Sequence, residues 1–145
     1  MANPYPIDLP AQFPFTTELQ VQVQDVNYGN HLGHDRLISL LHEARIRFLQ
    51  QHGLSEIDAG GAGLTVASLA CNYLAEVQHG EHLRIDVAVI NPGRARCDMV
   101  YRVHSQQQNR VVAEARTSIV FYNYTQGKVV RIPEAIRQLV TSHVD

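Results

Sequence analysis

Residues 24–53 read "QDVNYGNHLGHDRLISLLHEARIRFLQQHG", a polar loop that runs straight into a helical pattern. Leu37, Leu40, Leu41, Ala44 and Phe48 fall on one stripe at helical spacing, so one face of this helix is built to be buried. Gly53 suits its C-terminal stop. The loop before it concentrates Asp25, Asn27, Asn30, His31, His34 and Asp35 around two glycines. That is more hydrogen-bonding capacity than a helix entrance needs.

Upstream, "TELQVQVQ" at 17–24 alternates, with Leu19, Val21 and Val23 on one side and glutamines on the other. It reads as a half-buried strand. Downstream, after the glycine-rich "SEIDAGGAG", four strand-like runs cover 64–75, 82–91, 96–105 and 110–124. "NPGR" and "QQQN" between them read as hairpin turns. "PEAIRQLV" starts with Pro133, a residue suited to a first helical turn. The order is strand, long helix, four strands, short helix. An antiparallel sheet wrapped around a central helix, an α+β architecture, satisfies it. Residues 1–145 read as one domain, of which residues 1–15 are a proline-punctuated arm.

The bulk properties narrow the function. The 145 residues carry a formal net charge of -2, which gives no electrostatic basis for nucleic-acid binding. No apolar run approaches the roughly 20 residues that span a bilayer. The N-terminus lacks the basic-then-apolar pattern of a signal peptide. Cys71 and Cys97 each sit in a strand-like run and read as buried free thiols. A soluble, cytoplasmic protein is expected.

The loop and helix resemble those of the hotdog-fold acyl-CoA thioesterases of the 4-hydroxybenzoyl-CoA thioesterase family. The family loop reads D-x-D-x-x-G-H-V-N-N. Asp25 matches its first Asp and His31 its His, and "EAR" at 43–45 resembles its helix motif. "YLAEVQHGEHL" is similar to the family's Y-x-x-P-x-x-x-G-D-x-L, with Tyr73, Gly80 and Leu83 in place and Glu81 for the Asp. The resemblance runs from about residue 15 to 140. It implies a hotdog fold, an acyl-CoA substrate, no cofactor, and a homodimer or homotetramer with sites at the interface. Two departures stand out. The family's catalytic carboxylate position is Asn27, and Glu76 stands where a proline is usual.

Thioester hydrolysis needs a stabilised carbonyl oxygen and an activated nucleophile. The helix entrance supplies unpaired backbone N–H groups, and the resemblance places one of them near His34. Asn27 is neutral. It can donate to the carbonyl oxygen or hold a water, but it cannot attack. His31 is then the leading general base, with Asp25 as its orienting group and Glu43 as the other candidate base. Each has a structural reading beside the functional one. Asp25 and Asn27 suit a loop that bonds its own backbone, and Glu43 with Arg47 suits a salt-bridged helix face. His31 and His34 lack further ligands for a metal. Ser68 and Asn72 lie on a strand that, in the family, helps form the substrate pocket. The alternative function is a non-catalytic acyl-CoA or acyl-carrier binding protein, which Asn27 favours. The H-F-P-G run of the related dehydratases is absent.

Overall fold

The computed structural model describes residues 5–141. In chain order it forms β1 (Phe15–Gln20), a 3-10 turn (Val23–Asp25), α1 (His34–Gln51), β2 (Gly63–Tyr73), β3 (His82–Ile90), β4 (Arg96–Ser105), β5 (Arg110–Asn123), β6 (Lys128–Val129) and α2 (Glu134–Arg137). The strands form one antiparallel sheet in the order β1-β3-β4-β5-β2, with β6 folded back on β5. β1 and β2 are therefore the two edges, and α1 carries the chain from one to the other across a single face.

That face is the core. Leu37, Leu41, Ala44 and Phe48 are buried on α1 as their spacing requires, together with Leu49 and Arg45, while Leu40 is half-buried. Each fully buried Leu or Phe contributes about 1.5–3 kcal/mol of transfer free energy. They meet Ile85, Val87 and Val89 of β3, Met99 and Tyr101 of β4, and Ala115, Ile119 and Phe121 of β5. Alternation along β3 and β4 sends Ala88, Ile90 and Val100 to the opposite face. There the arm covers them with Ile7, Leu9 and Phe13.

Two expected boundaries move. The first strand stops at Gln20, and Val23 is exposed instead of facing the core. The cause is Asp25: its carboxylate accepts the Gln22 N–H (2.8 Å) while its own N–H donates to the Gln22 carbonyl (2.9 Å). That local pair winds 23–25 into a turn, against their alternating pattern. The last long strand ends at Asn123, and a tight turn through Gly127 (φ 70°) returns it as β6, an element the alternation did not indicate.

Candidate active site

The polar loop is held from below by Asp25. Its buried carboxylate accepts Nε and Nη2 of Arg36 (3.3 and 3.2 Å), and its carbonyl accepts the Gly33 N–H (2.9 Å). Asp25 thus ties the start of the loop to the first turn of α1. It is not the hydrogen-bond partner of His31.

Gly33 caps α1 in an extended conformation, and a Cβ there would lie 2.7 Å from an Asp35 carboxylate oxygen. Its N–H is used on Asp25, and no side chain caps this helix. His34 is the first helical residue, so its N–H is the first orphan donor of the helix terminus. The dipole of α1 adds partial positive charge at the same point. Behind it, the Tyr73 hydroxyl donates to the His34 carbonyl (2.9 Å). Burial, and then the neighbouring Cys71 thiol, push the Tyr73 phenol up to about 12, so it stays a neutral donor at this contact.

His31 Nδ1 lies 3.2 Å from the Leu32 carbonyl. In the neutral ring that bond places the hydrogen on Nδ1 and the lone pair on Nε2. Asn27 Oδ1 accepts the Gly29 N–H (2.9 Å) and the His31 N–H (3.4 Å), so the loop uses its amide oxygen. The Nδ2 donor makes no bond among the described residues. The loop is stitched to the chain after β2 by Leu32 N–H donating to the Val77 carbonyl (2.7 Å).

Between these segments lies a cavity of about 360 Å³, within the range of small-molecule sites. Asn27, His31, Gly33 and His34 line it from the loop and helix, and Tyr73 and Glu76 from β2 and the segment beyond. Leu37, Leu74, Val77 and Val112 make its walls largely apolar. It therefore combines an apolar chamber, orphan N–H donors and an imidazole with a free lone pair. Among the described residues no cluster of three or more His, Cys, Asp or Glu could hold a metal ion.

Three other candidates lie elsewhere. Glu43 is bonded to Arg47 (2.8 Å) one turn along α1 and does not line the cavity. Asn72 accepts the Tyr5 N–H (2.8 Å) and donates to the Tyr5 carbonyl (2.6 Å), which fastens the arm. Ser68 pairs with Ser118, whose hydroxyl donates to Asp98. Neither Ser68 nor Asn72 lines this cavity. Two polar side chains of the cavity, Tyr73 and Glu76, were not among the candidates. The signal for Tyr73 was its motif, and for Glu76 its departure from one.

A sheet curled about one long helix, with a pocket at the mouth of that helix, is the hotdog arrangement. The model of the Thioesterase-like superfamily matches residues 21–140, and the chain belongs to that superfamily. Among solved structures, a 1,4-dihydroxy-2-naphthoyl-CoA thioesterase from Synechocystis superposes with a TM-score of 0.78 at 20% identity, covering 87% of this chain and 94% of that one. A thioesterase-superfamily protein from Jannaschia sp. gives 0.81 at 21% identity, covering 92% and 85%. A thioesterase from Thermus thermophilus, complexed with coenzyme A and Zn, gives 0.76 at 23% identity, covering 90% and 100%. At these identities the likeness is one of fold.

Proposed function

We propose that the protein is an acyl-CoA thioesterase, hydrolysing a thioester to a free acid and CoA in the cavity at the mouth of α1. The unpartnered N–H of His34 and the imidazole of His31, two residues that line one cavity, carry this reading. The thioester oxygen takes the His34 N–H, with Asn27 Nδ2 as a second donor. His31 Nε2 takes a proton from the attacking water. The donors strengthen as negative charge builds on the oxygen, which is where binding energy becomes rate.

The reading extends to assembly and setting. β2 is an edge strand whose residues 65–69 are all exposed, with Val66 at 39% and Leu69 at 43%. An open edge of that length invites a second copy of the chain, so a homodimer or homotetramer is the expected form. Among the described residues no helix is long and apolar enough to cross a membrane, and Cys71 and Cys97 are both free. A reducing cytoplasm suits those thiols.

The test is release of free thiol from a panel of acyl-CoA thioesters of varied chain and ring, followed with a thiol reagent. Turnover of at least one member is expected. Tight acyl-CoA binding with no thiol released from any of them would replace the enzyme with a binding protein.

A further inference from the structure

Resting on the thioesterase reading, we infer that Glu76 is a catalytic carboxylate, standing across the cavity from the position where the loop carries the amide of Asn27. The carboxylate of Glu76 and the amide of Asn27 border the same imidazole. Glu76 Oε2 lies 3.5 Å from His31 Nε2. On the other side, Asn27 Oδ1 and His31 Nε2 both lie within 3.2 Å of the point a Cβ on Gly29 would occupy. Gly29 leaves that space open.

The placement of Glu76 is built, although its side chain is 70% exposed. Its carbonyl accepts Gln108 Nε2 (2.7 Å), and the same nitrogen bonds the buried Glu81 carboxylate (3.0 Å). Glu81 also accepts the Gln78 N–H (2.6 Å) and the Ser105 hydroxyl. With the Leu32–Val77 stitch, the segment bearing Glu76 is fixed on both sides of that residue.

The tautomer then decides the chemistry. In the neutral ring Nδ1–H is directed to Leu32, so Nε2 and the carboxylate face one another as two acceptors. One water about 2.8 Å from each can donate a hydrogen to both. His31 Nε2 takes one proton as the water oxygen bonds to the thioester carbon. The carbonyl electron pair moves onto its oxygen, at the His34 N–H. Glu76 keeps the second hydrogen of the water in line and balances the new imidazolium. On collapse the oxyanion's electron pair re-forms the C=O bond, the C–S bond breaks with its pair leaving on sulfur, and the proton on His31 passes to that sulfur. The products are the carboxylic acid and the free thiol.

The experiment compares wild type, Glu76→Gln, Asn27→Asp and the double variant Asn27→Asp/Glu76→Gln on the best acyl-CoA of the panel, with circular dichroism as the folding control. Glu76→Gln keeps the size and exposure of the side chain, so it should fold. It should lower kcat by about 10²-fold with KM within about threefold, because the charge matters in the transition state. Adding Asn27→Asp, which returns a carboxylate to the other side of His31, should recover at least about tenfold of that loss. Wild-type kcat in a folded Glu76→Gln variant of an active enzyme would overturn the role of Glu76 and leave the thioesterase reading standing. Wild type that hydrolyses no acyl-CoA would overturn both.

Discussion

His31 and Glu76 come from segments on opposite sides of β2, yet their side chains meet at 3.5 Å over the mouth of one cavity. The backbone bond from Leu32 to Val77 brings them there. Catalysis is assigned to this meeting point, so the first consequence concerns the imidazole. His31→Ala should lower kcat by roughly 10²–10⁴ with the fold intact, since the ring is only partly buried. Steady-state kinetics beside circular dichroism checks it. A folded His31→Ala variant with wild-type kcat would move the base elsewhere, and Glu76, on the wall of the same cavity, would be the next candidate.

Asn27 has two jobs, and they separate by substitution. Its Oδ1 holds the Gly29 and His31 N–H groups, and its Nδ2, unbonded among the described residues of a cavity-lining side chain, is the proposed donor to the thioester oxygen. Asn27→Asp keeps both acceptor contacts and loses the donor. Asn27→Ala loses all of them. The Asp variant should retain measurable thiol release, and the Ala variant should be the worse of the two in kcat and kcat/KM together. An inactive Asp variant beside an active Ala variant would show that a carboxylate here opposes the developing oxyanion and that neither the amide donor nor the loop contacts are needed.

How much of this was legible in the sequence follows from how far apart the cooperating residues lie. Leu37, Leu41, Ala44 and Phe48 declare their face because helix periodicity is local. Arg45 does not. It lies on the buried side, 6% exposed, because Glu56 takes its Nε (2.8 Å) and Tyr101 its Nη1 (3.1 Å), and tertiary partners leave no trace in spacing. The loop's density of polar groups could be read from its composition alone, but the contacts inside it could not. Asp25 looked like an orienting group for His31 and is spent on Arg36. Ser68 was placed by position along its strand. The register shift between Val66 and Ser68 lets Val66 and Leu69 both line the groove beside α1, and a bulge of that kind is invisible to alternation. Asn72 is claimed by the arm, a contact across 67 residues.

The exposed edge of β2 sets a prediction for assembly. Sedimentation equilibrium at micromolar concentration should give a dimer or tetramer. Replacing Val66 and Leu69 together by lysine should shift it toward monomer, since inward charge on an edge opposes pairing. A wild-type monomer under those conditions would remove the edge-pairing account.

Acid should destabilise the protein partly through Glu81. Burial would raise its carboxyl, but the bonds from Ser105, Gln78 and Gln108 outweigh this and hold it below its usual range. A group with a depressed folded pKa stabilises above its unfolded value, about 4.3 for Glu, and loses that contribution as pH falls through the folded value. Glu81→Gln should therefore lower the denaturation midpoint at pH 7 and flatten the decline below about pH 4.5. Urea melts across that pH range measure it. A mutant whose acid decline parallels wild type would mean that Glu81 does not contribute to it.

The central claim is that the main chain at the mouth of α1 stabilises the thioester oxygen, and one substitution removes that donor with little else. His34 is the first helical residue, where proline is well tolerated. Gly33 before it has φ -69° and ψ 146°, the conformation a residue preceding proline favours. His34→Pro should fold and lose the N–H. His34→Ala keeps the N–H and removes the ring. The measurement is kcat for both on the same acyl-CoA. The proline variant should fall by about 10²–10³, with the alanine variant within several-fold of wild type. A folded His34→Pro enzyme with wild-type kcat would contradict the account.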